Sequence, residues 1–157
     1  MKDKSIVLLH GVFDNAFFDD LKKANAKEVF ILEGRPGLNS SKKTSRELIK
    51  RKIQPTVISD NMAGVLFYKG WVKEVRIAYE MKARQGTLSQ IGSVILAVLG
   101  KKHKVSVTAY PSTEKSALMG SQKDILEFTG VKVAPDGVQG YVPLVEWVPK
   151  KYITKIL

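Results

Sequence analysis

Short apolar runs alternate with amphipathic stretches along the chain, and most runs break at glycine, proline or a small polar residue. Ser5 to Leu9 reads Ser-Ile-Val-Leu-Leu and stops at His10-Gly11, the pattern of a parallel strand buried on both faces. Asp14 or Asn15 then caps a helix that carries Ala16, Phe17, Leu21 and Ala24 toward a core. Glu28 to Leu32 is a second strand, followed by the turn Glu33-Gly34-Arg35-Pro36. Thr44, with Glu47 three residues on, has the spacing of a capping box, and its helix runs to about Lys52. Pro55 leads into a third strand, Thr56 to Ser59.

Asp60 or Asn61 opens a short helix through Ala63, Leu66 and Phe67, which Gly70 closes. Val72 to Ala78 is a fourth strand. Thr87 to Gly100 carries the strongest helical pattern, with Leu88, Ile91, Ile95 and Leu99 on one face. Val105 to Ala109 is a fifth strand, ending at Tyr110-Pro111-Ser112-Thr113. Further on, Val131 to Pro135 precedes the turn Asp136-Gly137, and Val145 to Val148 precedes a final amphipathic helix over Pro149 to Leu157. This alternation predicts an α/β domain with a mainly parallel sheet. There is no internal repeat, low-complexity segment or linker, so residues 1–157 read as a single domain.

At 157 residues the chain is long enough to bury a core without cross-links. It has no cysteine, which excludes disulfides, thiolate metal sites and cysteine nucleophiles. Its two histidines, His10 and His103, stand too far apart in sequence to suggest a metal cluster, so neither metal nor cofactor is expected. No run approaches the roughly 18 apolar residues of a membrane span, and Met1-Lys2-Asp3-Lys4 does not open a signal peptide. The expectation is a cytoplasmic protein with no membrane partner.

The net charge of +11 points toward polyanions, RNA among them. Yet Lys42-Lys43, Lys50-Arg51-Lys52, the trio Lys101, Lys102 and Lys104, and Lys150-Lys151 have no interleaved aromatics of the kind a single-strand platform uses. A solvated lysine surface is the plainer reading of them.

Polar residues at the carboxyl ends of consecutive parallel strands are where an open α/β sheet builds its binding crevice. Two such groups stand out, Glu33-Gly34-Arg35-Pro36-Gly37-Leu38-Asn39 with Thr44, and Asp60-Asn61-Met62-Ala63-Gly64. Ile91-Gly92 with Leu96-Ala97-Val98 follows, and then Val131 to Val138 with Pro143 and Tyr152-Ile153-Thr154. In this order and spacing the motifs resemble the carboxyl-terminal domain of one superfamily. It contains the regulatory subunits of translation initiation factor 2B, methylthioribose-1-phosphate isomerase and ribose-1,5-bisphosphate isomerase. The resemblance covers nearly the whole chain and implies a Rossmann-like three-layer domain. Because the chain begins almost at the first strand, the family's helical amino-terminal domain is expected to be lacking. Relatives dimerise through this domain, and the apolar cluster of Tyr141, Val142, Leu144, Val145 and Trp147 suits such a homodimer interface. A segment folded back on the protein's own sheet is the alternative.

In the isomerases of this superfamily a cysteine after the first strand and an aspartate after the fourth are implicated in moving protons between sugar C1 and C2. That step needs an acid and a base on either side of the carbon pair. Here the cysteine position reads Gly11, and the family's Gly-Ala-Asp reads Ala78-Tyr79-Glu80, leaving Glu80 as the acidic group. The family's substrate-contacting Asn-Lys reads Ser89-Gln90, and the loop that holds the phosphate belongs to the helical domain. These changes favour a non-catalytic protein similar to the initiation factor 2B subunits, with a translation-factor partner and a retained crevice for a phosphorylated sugar or nucleotide. The alternative is a sugar-phosphate aldose–ketose isomerase.

The candidate catalytic residues are His10, Asp60 and Glu80; the candidate ligand-binding residues are Glu33, Arg35, Asn39, Asn61, Ser89 and Gln90. Several also have a structural reading. His10 is a general base or a strand-closing side chain. Arg35 holds an anion or pairs with Glu33 or Asp60. Asp60 meets a sugar or caps the helix at Asn61.

Overall fold

The computed structural model describes residues 4–24, 26 and 28–157. In chain order the strands are β1 (Ile6–His10), β2 (Glu28–Leu32), β3 (Pro55–Ile58), β4 (Val72–Ala83), β5 (Gly86–Gln90), β6 (Ser106–Pro111), β7 (Glu127–Phe128), β8 (Val131–Lys132), β9 (Val145–Pro149) and β10 (Lys155–Ile156). The α-helices are α1 (Asn15–Lys23), α2 (Ser45–Lys50), α3 (Ala63–Tyr68), α4 (Ser93–His103) and α5 (Lys123–Leu126).

The parallel strands lie in the order β3-β2-β1-β4-β6-β10. Counting parallel strands alone, this is the 3-2-1-4-5-6 order of a Rossmann-type sheet, whose direction of winding reverses between β1 and β4. Both faces are covered, which is why β1 and β2 read as unbroken apolar runs. On one face Leu66, Phe67, Leu96 and Ala97 pack over Ile6, Leu8, Val75 and Ile77. On the other, Phe17, Phe18, Leu21 and Leu48 pack over Leu9, Val29 and Ile31. Phe17 is fully buried and stacks on Phe13 with centroids 3.8 Å apart. Truncating such a side chain costs about 3–5 kcal/mol. The Asp14 carboxylate accepts from Phe17 N at 3.0 Å and caps α1 as expected. No described helix is long and apolar enough to cross a membrane.

Four local expectations are corrected. The stretch from Thr87 is not helical at its start: Gly86–Gln90 is a strand that turns back antiparallel on β4, and α4 begins only at Ser93. Gly92, at φ +99°, sits in a left-handed conformation that no α-helix tolerates internally, so it separates the two elements. The fourth strand runs past Ala78 to Ala83 to supply β5's partner. The final helix does not form: Pro149 ends β9, a single 3₁₀ turn spans Lys150–Tyr152, and β10 joins the sheet edge. There Thr154 binds Val107 twice, its N–H donating to the Val107 carbonyl and its hydroxyl accepting from Val107 N. Thr44 makes no cap bond; its hydroxyl donates to the Gly11 carbonyl at 2.8 Å, tying the second helix to the end of β1.

The carboxyl-terminal apolar segment is divided. Val142, Val145 and Val148 are buried and β9 pairs with β5, so this part folds back on the protein's own sheet. Tyr141 and Trp147 remain exposed, at 80% and 42%.

Candidate functional site

The reversal between β1 and β4 opens a cleft of about 190 Å³ at the carboxyl ends of the strands. Gly11 and Val12 enter it from β1, Arg35 and Asn39 from β2, Ala78 and Glu80 from β4, and Gln90 from β5. Ser112, Glu114 and Ser116 reach it from the segment after β6, and Asp124 from α5. Of the sequence candidates, four therefore share this cleft: Arg35, Asn39, Glu80 and Gln90.

Arg35 is half-buried and its guanidinium has no ion-pair partner among the described residues, neither Glu33 nor Asp60. It lies over the Phe128 ring instead, 4.2 Å from the centroid, a cation–π contact that holds the charge while leaving its N–H groups available. Its backbone is fixed from below. The Asp60 carboxylate accepts from Gly34 N at 2.9 Å and from Arg35 N at 2.7 Å. Asp60 thus clamps the loop after β2 rather than capping the following turn, whose N-cap is Ser59. Gln90 Nε2 donates to the Gly34 carbonyl at 3.3 Å and closes the other side of the same loop.

The Glu80 carboxylate accepts from Ser116 N at 2.6 Å and Ser116 Oγ at 2.5 Å, which fixes its orientation at the cleft wall. Glu114 beside it is paired with Lys43 at 2.8 Å. Ser112 Oγ donates to the Val12 carbonyl at 2.6 Å and ties the segment after β6 to the end of β1.

His10 lies beneath the cleft, wholly buried, with Nε2 donating to the Ile91 carbonyl at 2.8 Å and Nδ1 without a partner among the described residues. Burial holds its imidazole below the usual histidine value, against the opposing pull of the Ile91 bond and of the Asp60 and Glu146 carboxylates. Ser89 is buried on the other side of β5, bonded to Thr87 at 3.1 Å. Glu33 contributes its backbone carbonyl to Ser41, and Asn61 is exposed outside the cleft. No group of three or more metal-ligating side chains occurs among the described residues.

The sequence reading did not single out Ser112, Ser116 or Glu146. The first two follow the carboxyl end of β6, where the crevice rule places ligand contacts. Glu146 carries no local signal: it reaches from β9 to accept from Gly92 N and Val94 N, both at 2.8 Å, and so caps α4 from a distant strand.

A Rossmann-type sheet with a polar cleft at its switch point is the arrangement in which open α/β domains place their binding crevices. The chain belongs to the initiation factor 2 subunit family, which matches it over residues 1–157. Among curated relatives, methylthioribose-1-phosphate isomerase of Thermus thermophilus is 28% identical over 160 residues, covering 94% of this chain and 48% of the relative. That of Geotalea uraniireducens is 34% identical over 142 residues, 83% of this chain and 41% of the relative. The chain therefore spans about half the length of the curated relatives it matches. The fold is that of translation initiation factor eIF-2B, subunit delta, from A. fulgidus, with a TM-score of 0.85 at 19% identity over 99% of this chain and 52% of that one. The 5-methylthioribose 1-phosphate isomerase from Pyrococcus horikoshii gives 0.83 at 22% identity over 98% and 49%.

Proposed function

We propose that this chain is the sugar-phosphate-binding α/β half of an isomerase of the methylthioribose-1-phosphate type. The relatives that carry that name support the reading, and one observation carries it: an arginine without an acidic partner among the described residues and an oriented carboxylate line the same cleft at the switch point. On this reading Arg35 takes the phosphate, since guanidinium presents a fork of donors to its oxygens. Asn39 and Gln90 meet sugar hydroxyls, and Glu80 moves the proton between adjacent carbons. His10 and Asp60 serve the site from behind, one under Ile91 and the other under Arg35.

Calorimetric titration with methylthioribose 1-phosphate and ribose 1,5-bisphosphate tests it, followed by NMR detection of ketose formation. Arg35→Ala abolishes binding with little loss of stability; Glu80→Gln binds and does not turn over. Failure of the unaltered protein to bind either compound overturns the proposal.

The second reading, a non-catalytic subunit in the manner of the initiation factor 2B regulatory subunits, is favoured by one feature. The chain has no cysteine, and Gly11 leaves no room for one, because a Cβ there would lie 2.6 Å from Ala78 Cβ. Binding without turnover selects this reading. In either case the exposed Tyr141 and Trp147 are the natural centre of a homodimer contact, to be tested by the mass of the Trp147→Asp variant in solution.

A further inference from the structure

The two ends of the sheet differ in charge balance. The cleft end mixes signs, with Glu80, Glu114 and Asp124 beside Arg35 and with Lys43 paired to Glu114. At the other end the carboxylates of Glu28 and Glu74 are each paired, with Lys4 and Arg76. The opposite end, where the parallel strands begin, carries Lys4 before β1, Lys69 and Lys73 at the start of β4, and Lys101, Lys102 and Lys104 before β6. Lys151 precedes β10. Of these seven lysines only Lys4 has an acidic partner among the described residues, Glu28 at 3.5 Å. Helix dipoles account for lysines in the last turn of α4, but not for Lys4, Lys73 or Lys151.

The fold also brings to these lysines the aromatics that the linear clusters lack. Lys4 and Lys69 lie over the Trp71 ring, 5.4 and 4.8 Å from its centroid. Tyr68 beside them is 86% exposed. The His103 ring packs on Phe67 at 5.4 Å and joins this group to the end of α4. From there a groove of about 620 Å³ runs between Lys101, Lys104 and Lys151, with Tyr152 in its wall and no carboxylate among the described residues that line it. Lys151 sits 5.0 Å from the Tyr152 centroid. Strand register keeps the pieces in line, since Ile6 pairs with Val72, Glu74 with Ser106 and Thr108 with Lys155.

We propose that this amino-terminal end of the sheet is a docking surface for single-stranded nucleic acid, with the lysines on phosphates and Tyr68 stacked on a base. A basic track punctuated by aromatic faces fits a backbone carrying one charge per nucleotide and a π-face on every base. An acidic protein would satisfy the lysines but leave Tyr68 without a role. The surface lies away from the cleft and is independent of the sugar-phosphate reading.

The test is fluorescence anisotropy of the full chain with fluorescein-labelled oligouridylate across a salt series. Affinity falls with salt, and the combined Lys101→Ala, Lys104→Ala and Lys151→Ala variant flattens the log–log slope by about 2, at roughly 0.7 for each phosphate no longer neutralised. Tyr68→Ala weakens binding about tenfold, the scale of one base stack removed. Lys123→Ala with Lys132→Ala, on α5 and β8, leaves it unchanged. Competition by polyglutamate as effective as by unlabelled oligouridylate, at equal charge, overturns the proposal in favour of an acidic protein partner. An unaltered salt slope in the triple-lysine variant, or no binding at low salt, overturns it outright.

Discussion

Gly11 and Ala78 meet where β1 and β4 enter the cleft, and the space between them holds one side chain. A Cβ at residue 11 would approach Ala78 Cβ to 2.6 Å, where carbon atoms prefer about 3.5–4.0 Å. The backbone at Gly11 also stands at φ +107°, which side chains avoid. Gly11→Cys is expected to lose about 1–3 kcal/mol to overpacking and a further 1–3 or so to backbone strain. Ala78→Gly alone costs about 0.5–1 kcal/mol for a glycine in a strand. In the double variant the contact with Ala78 Cβ is gone, while the 3.2 Å approach to Ala78 N and the backbone strain remain, so the two changes couple favourably by about 1–2 kcal/mol. Urea denaturation of the four proteins measures the cycle. Additivity to within about 0.5 kcal/mol refutes the claim that the two positions compete for one volume. The resemblance implies cysteine and glycine at these two positions in the isomerases, so the double variant is also the one that would set a thiol near Glu80. Gain of turnover in it, absent from both single variants, would identify the missing thiol as what limits the reaction.

Three further outcomes follow from the site. Asp60→Ala leaves two backbone N–H groups of the Arg35 loop without their charged acceptor, at a cost of about 2–4 kcal/mol. Asp60→Asn, which keeps one acceptor oxygen, costs about half as much, and an equal loss in both would refute the two-bond account. His10 is held below its unfolded value by burial, so the unfolded chain binds a proton that the folded one refuses. Stability is then lost as pH falls below about 6.5; urea midpoints for His10→Gln should show a flatter profile there, and an unchanged slope rejects the assignment. Glu146→Ala removes the acceptor of two N–H groups at the start of α4 and should cost about 1–2 kcal/mol in thermal unfolding, with Glu146→Gln recovering most of it.

The elements legible in the sequence are those whose burial follows from local period. β1 and β2 are covered on both faces, which makes them nearly unbroken apolar runs, and the Asp14 cap of α1 is set within three residues. The errors arise where a distant strand decides. Leu88 and Ile91 share a helical face on paper, but β9 offers Gly86–Gln90 a full antiparallel ladder, and Gly92 ends it. Pro149 looks like the start of a helix until Thr154 finds its two bonds on β6. The same division runs through the site. Arg35 is visible as a polar residue at a strand end and Glu80 only through the resemblance, whereas Asp60's hold on Gly34 and Arg35, and Phe128 under the guanidinium, depend on contacts across many residues.

On the isomerase reading, the lack of a cysteine bears on rate far more than on binding. A positioned acid or base contributes about 10²–10⁴ to rate, and none of the groups assigned to ligand contact, Arg35, Asn39 and Gln90, depends on the residue at position 11. Meanwhile the loop after β2 is held by two hydrogen bonds to a carboxylate and a third from Gln90, and it presents a guanidinium without a partner charge among the described residues. An unpaired cation fixed at the wall of a cleft adds little to stability by itself, since its gain comes when an anion arrives and finds it already oriented. At about 190 Å³ the cleft is smaller than the roughly 300 Å³ at which ligand pockets usually begin. On the sugar-phosphate reading, a cleft of this size takes only part of a ligand, the part held by Arg35. Anion affinity governed by Arg35 should thus persist in the single-site variants that abolish turnover, with Glu80→Gln the first of them, and affinity that vanished together with turnover would contradict this separation of binding from chemistry.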